Sequence, residues 1–160
     1  MKIGLSVILA LALHFPGLPA GPATQQPFRI VVSTRHPEVK SGRGAEITVR
    51  LTNTSQEMID TSANVDSRTG LDPNFDIDIR NSSGHSAPKR TYKHPEFRTG
   101  QAFIGRALKP GETLTEHFDL SRAYELTEPG NYVVQVSRTA PERLGGGVVK
   151  SNKITVTVAP

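Results

Sequence analysis

The chain has 160 residues, 36% of them hydrophobic and 21% charged, with a formal charge of +4 and neither tryptophan nor cysteine. That length makes roughly one domain, and the apolar content is enough for a core, which excludes disorder throughout. The missing cysteine excludes disulfides, thiolate zinc sites and thiol nucleophiles, and so modest a positive charge does not mark a nucleic-acid binder.

At the N-terminus, Met1-Lys2 gives a short positive region. Ile3 to Leu13 is apolar apart from Gly4 and Ser6, Pro16, Gly17 and Pro19 break any helix, and Ala20 is a small exit residue. This is the layout of a secretory signal peptide over residues 1–20, cut after Ala20 or after Ala23. Residues 21–26 then form a flexible lead-in to one domain over 27–160. The apolar run is shorter than the about 20 residues a membrane span needs. No second apolar stretch follows, so the mature chain is expected to have no transmembrane segment and to be secreted or periplasmic.

From Pro27 onward the pattern has period two. Phe28, Ile30 and Val32 share one face, and a turn at Ser41-Gly42-Arg43-Gly44 leads to Ile47, Val49 and Leu51, which alternate with Glu46, Thr48 and Arg50. Met58 to Val65 reads as a further strand or as a loop with a short extended piece. Phe75, Ile77 and Ile79 again share a face opposite Asn74, Asp76, Asp78 and Arg80. A polar, basic excursion covers 85–100, and Ala102 to Leu108 returns as a strand. Lys109-Pro110-Gly111-Glu112 has the Pro-then-Gly order of a type II turn. Thr113 to Leu120 is extended with Leu114 and Phe118 inward, and Ser121 to Leu126 reads as one helical turn capped by Ser121. Tyr132, Val134 and Val136 mark the next strand, a Gly-rich loop spans 141–147, and Ile154, Val156 and Val158 mark the last. About seven strands without a long helix predict an all-β, antiparallel, immunoglobulin-like sandwich. A parallel sheet would need crossover helices.

Five segments carry a resemblance: Leu108-Lys-Pro-Gly-Glu-Thr113, Phe118-Asp-Leu-Ser121, Tyr124-Glu-Leu126, Pro129-Gly-Asn-Tyr-Val133 and Ser151-Asn-Lys-Ile-Thr-Val156. In this order they resemble the C-terminal half of immunoglobulin-like domains in secreted bacterial proteins. They are also similar to the non-catalytic β-sandwich modules that precede the catalytic domain of deuterolysin-type zinc proteases. The likeness is strongest over about 102–158 and implies a fold rather than an activity. It places Tyr132 at a tyrosine corner, its hydroxyl tying down the loop before the strand. His-Glu-x-x-His is absent, so the zinc ligands and general base of such a protease are missing from the chain.

No other catalytic motif appears. Asp72, Asn74, Asp76 and Asp78 open like a calcium loop, but Ile77 and Ser83 stand where an EF-hand needs Gly and Glu. The five histidines form no close pair, and Gly145-Gly146-Gly147 has no Lys-Ser/Thr behind it to hold phosphate. No cofactor is expected. The one asymmetry is charge: residues 80–109 hold seven bases against Glu96 alone, a local +6 that leaves the remainder at −2. Lys89, Arg90, Tyr92, Lys93, Phe97 and Arg98 are therefore the candidate partner-binding residues, for a protein or an acidic polysaccharide, against the alternative of a solvated surface. Three roles compete: a secreted binding or accessory module, a protease inhibitor presenting the 85–100 loop, and an enzyme whose site converges only in the fold.

Overall fold

Alternation along the strands decides the architecture. The computed structural model describes residues 26–66, 68–92 and 101–160. The signal-peptide segment and its cleavage positions, with Lys93, Phe97 and Arg98, lie outside them. The strands in chain order are β1 (Phe28–Ser33), β2 (Glu38–Lys40), β3 (Glu46–Asn53), β4 (Ile59–Asp60), β5 (Ala63–Asp66), β6 (Asp76–Asn81), β7 (Gln101–Ile104), β8 (Ala107–Leu108), β9 (Thr113–Asp119), β10 (Gly130–Thr139) and β11 (Val148–Ala159). One sheet has the order β1-β3-β9 and the other β2-β11-β10-β6. Two ribbons, β4-β8 and β5-β7, flank these sheets. The two main sheets together make the seven-stranded immunoglobulin-like sandwich.

Between the sheets lies one core. Phe28, Ile30 and Val32 from β1 and Ile47, Val49 and Leu51 from β3 face Ile77, Ile79, Val134, Val136, Val156 and Val158. The outward residues of β1 and β3 are polar apart from Val31, as period-two patterning requires when one face meets water. Phe118 of β9 meets the ring of Phe75 edge-on at 6.0 Å.

Three sequence expectations are corrected. First, β2 pairs with β11 in parallel, Val39 opposite Val158. No crossover helix is needed, because these neighbours lie near the two ends of the chain and the rest of the domain connects them. Second, the helical turn is a 3-10 turn over Leu120–Arg122 capped by Asp119 rather than Ser121. The Asp119 carboxylate accepts hydrogen bonds from Ser121 N, Ser121 Oγ and Ala45 N at 3.0, 2.6 and 3.1 Å. It thereby ties the turn to the start of β3. Third, the Met58–Val65 stretch is two short strands broken at Thr61-Ser62, and Ala102–Leu108 is likewise broken at Gly105-Arg106.

The sheet edges are closed in different ways, as edges must be to avoid pairing with other chains. Asn152 lies at the register shift where β11 is irregular against β10. Its side-chain amide donates to Val32 O and accepts from Val32 N, both at 2.9 Å, so it fastens β1 to the opposite sheet. On β9, Glu116 shares the inward parity of Leu114 and Phe118 and is ion-paired with Arg106. The β6 edge is covered by the chain that follows it: Ala87 N donates to Ile79 O at 2.8 Å, and Asn81 N to His85 O at 2.9 Å.

Candidate binding cleft

Past Ala87 the covering segment turns to the 3-10 turn. Arg90 N donates to Ala123 O and Glu125 N to Pro88 O, each at 2.8 Å, and Lys89 bridges Tyr124. Tyr124 is buried, and its hydroxyl donates to Ile77 O of β6 at 2.8 Å. Burial pushes this phenol's pKa up, and the carboxylates of Asp76 and Asp78 add to the shift. Residues 85–92 therefore lie along the sandwich as a bonded wall. The sequence reads 85–100 as an excursion; over 85–92 the chain is instead bonded to the domain, because β6 is an edge strand whose backbone groups need partners.

The candidate residues on this wall come together. Lys89 and Arg90 are exposed, and Tyr92 keeps 40% of its surface open while its hydroxyl donates to the Arg122 carbonyl. Arg68, on the turn after β5, places its guanidinium 5.6 Å from the centre of the Tyr92 ring. Its Nε lies 3.6 Å from Asp66 Oδ1. That turn needs a left-handed residue, supplied by Gly70 at φ 68°, whose N–H donates to Asp66 O at 2.6 Å. Asp66, Arg68, Leu71, Lys89, Arg90 and Tyr92 line an open cleft of about 430 Å³. Three cations and one carboxylate surround a ring face stacked by arginine, a cation–π arrangement that strengthens as water is excluded. Fixed positive charge beside an aromatic surface is equipment for binding an anion.

Tyr132 donates its hydroxyl to the Glu128 carbonyl at 3.0 Å, across the loop that precedes its strand. Burial, then Glu128, pushes its pKa up. Sequence reasoning missed Arg68 and Tyr124. Arg68 sits on an ordinary polar turn, and Tyr124 shows nothing in sequence of its bond to β6. Among the described residues no group of three or more His, Asp or Glu could hold a metal ion, and no helix is long and apolar enough to cross a membrane.

No family model and no curated protein matches the chain. Among solved structures it is similar to a beta-glucosidase from Listeria innocua, at 17% identity and TM-score 0.47, covering 83% of this chain but only 16% of that one. It is also similar to the CARDB domain of PF1109 from Pyrococcus furiosus, at 13% identity and TM-score 0.42, covering 83% and 94% of the two chains. A third likeness is to the ASH/PapD-like domain of human CEP192, at 12% identity and TM-score 0.41, covering 94% and 97%.

Proposed function

We propose that this protein is an exported, non-catalytic binding module that holds an acidic partner in the cleft between Arg68 and residues 89–92. The carrying observation is the fixed wall: Lys89 and Arg90 project from a segment pinned at Pro88, Arg90 and Tyr92. The charges are thus held in place before a partner arrives, which reduces the ordering cost of association. The signal-like N-terminus supports export.

The test is titration of the purified chain with three polyanions of different chemistry: hyaluronan oligosaccharide, polyphosphate and poly-glutamate. Lys89→Gln/Arg90→Gln is expected to weaken binding about thirtyfold, two ion pairs at roughly 1 kcal/mol each. Binding by the parent should weaken with added salt, because exposed charges are screened. The variant's melting temperature should stay near the parent's, since neither side chain takes part in the bonds that fasten the wall. Equal affinity of parent and variant across the salt series would show that the cleft is only a solvated surface.

A further inference from the structure

Beyond Lys89 and Tyr124 the cleft continues into a second one of about 330 Å³ on the outer face of β6-β10-β11. Its floor is set by sheet register. Asp76 pairs with Ser137 and Ser137 with Lys150, so these three side chains point outward from one rung across three strands. Asp78 and Gln135 stand on the next rung, about 7 Å along the strands. The two clefts share Lys89 and Tyr124 as a common wall.

The chemistry differs from that of the first cleft. Asp78 is engaged by Arg80 at 2.9 Å, whereas the side chains of Asp76, Lys89 and Lys150 make no hydrogen bond or ion pair among the described residues. Gln135 donates to Ser151 O at 2.9 Å, which leaves its carbonyl oxygen as an acceptor at the floor. The surface therefore alternates an acceptor-only group, a hydroxyl and a donor-only group within one rung. An anion brings only acceptors and is repelled by Asp76. A hydroxyl brings both, donating to Asp76 while accepting from Lys150 or Lys89. We propose that this cleft is a subsite for an uncharged, hydroxyl-bearing sugar unit adjoining the anionic group held at Lys89 and Arg90, so that the ligand is an acidic polysaccharide. This rests on the anionic-cleft reading and narrows its ligand.

The sign of one substitution decides it. If Asp76 were only a stray negative charge beside a cation site, Asp76→Ala would tighten every polyanion. If Asp76 accepts from a sugar hydroxyl, Asp76→Ala weakens hyaluronan oligosaccharide, here expected at about tenfold for a charge-assisted hydrogen bond, and leaves polyphosphate unchanged or tighter. Lys150→Gln should weaken the oligosaccharide in the same direction. Both positions are exposed strand sites, so melting temperatures should match the parent's, and a titration followed by amide NMR should shift the Ser137 and Lys150 signals. Unchanged or tighter oligosaccharide binding by Asp76→Ala overturns the subsite. So does a parent that binds polyphosphate but not the oligosaccharide, or an Asp76→Ala loss confined to poly-glutamate, which would indicate a peptide. In each of these cases a Lys89→Gln/Arg90→Gln loss would still uphold the anionic cleft. A double variant that binds all three probes like the parent removes the cleft itself.

Discussion

At the end of β3, Asn53 has 0% of its surface exposed, and its amide is engaged on both sides. Its oxygen accepts from Ser55 N and Ser55 Oγ at 2.9 and 2.8 Å, and its nitrogen donates to the carbonyls of Glu57 and Leu108 at 2.7 and 2.9 Å. This one side chain joins β3, the following turn and β8. Asn53→Ala would leave the buried Leu108 carbonyl without its side-chain donor, while the Glu57 carbonyl keeps the Ser55 hydroxyl at 3.0 Å, and a loss of about 2 kcal/mol is expected in urea denaturation. A loss under about 1 kcal/mol would mean that water replaces the amide. In sequence Asn53 is only a strand terminator and the first residue of a formal glycosylation sequon. Asparagine is seldom fully buried, so composition gives no hint of the hub. The same bonds keep the sequon's amide nitrogen out of reach in the folded chain. Arg138 was hidden similarly. It continues the parity of Tyr132, Val134 and Val136, faces inward with 8% exposure, donates to Asp60 O at 3.0 Å and lies 5.6 Å from the Phe75 ring centre. Burial pulls its pKa down, while Asp72 and Asp60 oppose the shift.

Among the elements, β11 shows how an irregularity is used. The register against β10 shifts between Gln135 and Ser137, and Ser151 Oγ accepts from Val136 N at 3.0 Å where the regular ladder is interrupted. Bulges re-aim side chains, and here Asn152 is aimed at β1. Asn152→Ala is expected to cost about 2 kcal/mol, one net hydrogen bond for each of its two contacts. Hydrogen exchange in the variant should reveal faster opening at Val32 N–H, with Val31 and Leu51, whose amides face neighbouring strands, unchanged. Equal protection of Val32 in both proteins would place the β1 anchor elsewhere. The long strands β1, β3, β6, β10 and β11 were legible because each carries several alternations. The ribbon strands were read only as two unbroken stretches, Met58–Val65 and Ala102–Leu108, and β2 was not read at all, since strands of two to four residues hold too few positions for a period to appear. Their pairing is set by neighbours distant in the chain.

For the whole molecule, the pH response follows from two buried phenols. Tyr124 ties the 3-10 turn region to β6 and Tyr132 ties the Glu128 loop to β10, and both have pKa values raised in the fold. A raised folded value means that their stabilisation is complete below the ordinary tyrosine pKa of about 10 and is lost as pH climbs through the folded values. Melting temperature should therefore fall between pH 9 and 11, roughly spanning that value. Tyr124→Phe/Tyr132→Phe should start lower at pH 8 but decline less steeply. Parallel curves would assign the alkaline loss to other groups. At this scale the candidate site was half legible. Local charge density pointed to Lys89, Arg90 and Tyr92, but Arg68, Asp76 and Lys150 come from three other parts of the chain, and only sheet register and turn geometry bring them beside that segment.

The wall at residues 88–90 is fastened by main-chain atoms, and this divides labour within the segment. Pro88 O, the Lys89 backbone and Arg90 N hold it against Ala123, Tyr124 and Glu125, and the side chains at 89 and 90 take no part. Their identity is thus free to change across generations while the architecture persists. Descendants of this chain can acquire a different charge or shape at these two positions by single codon changes. A segment that shields a sheet edge through its main chain thereby offers two side chains that can vary at little cost in stability.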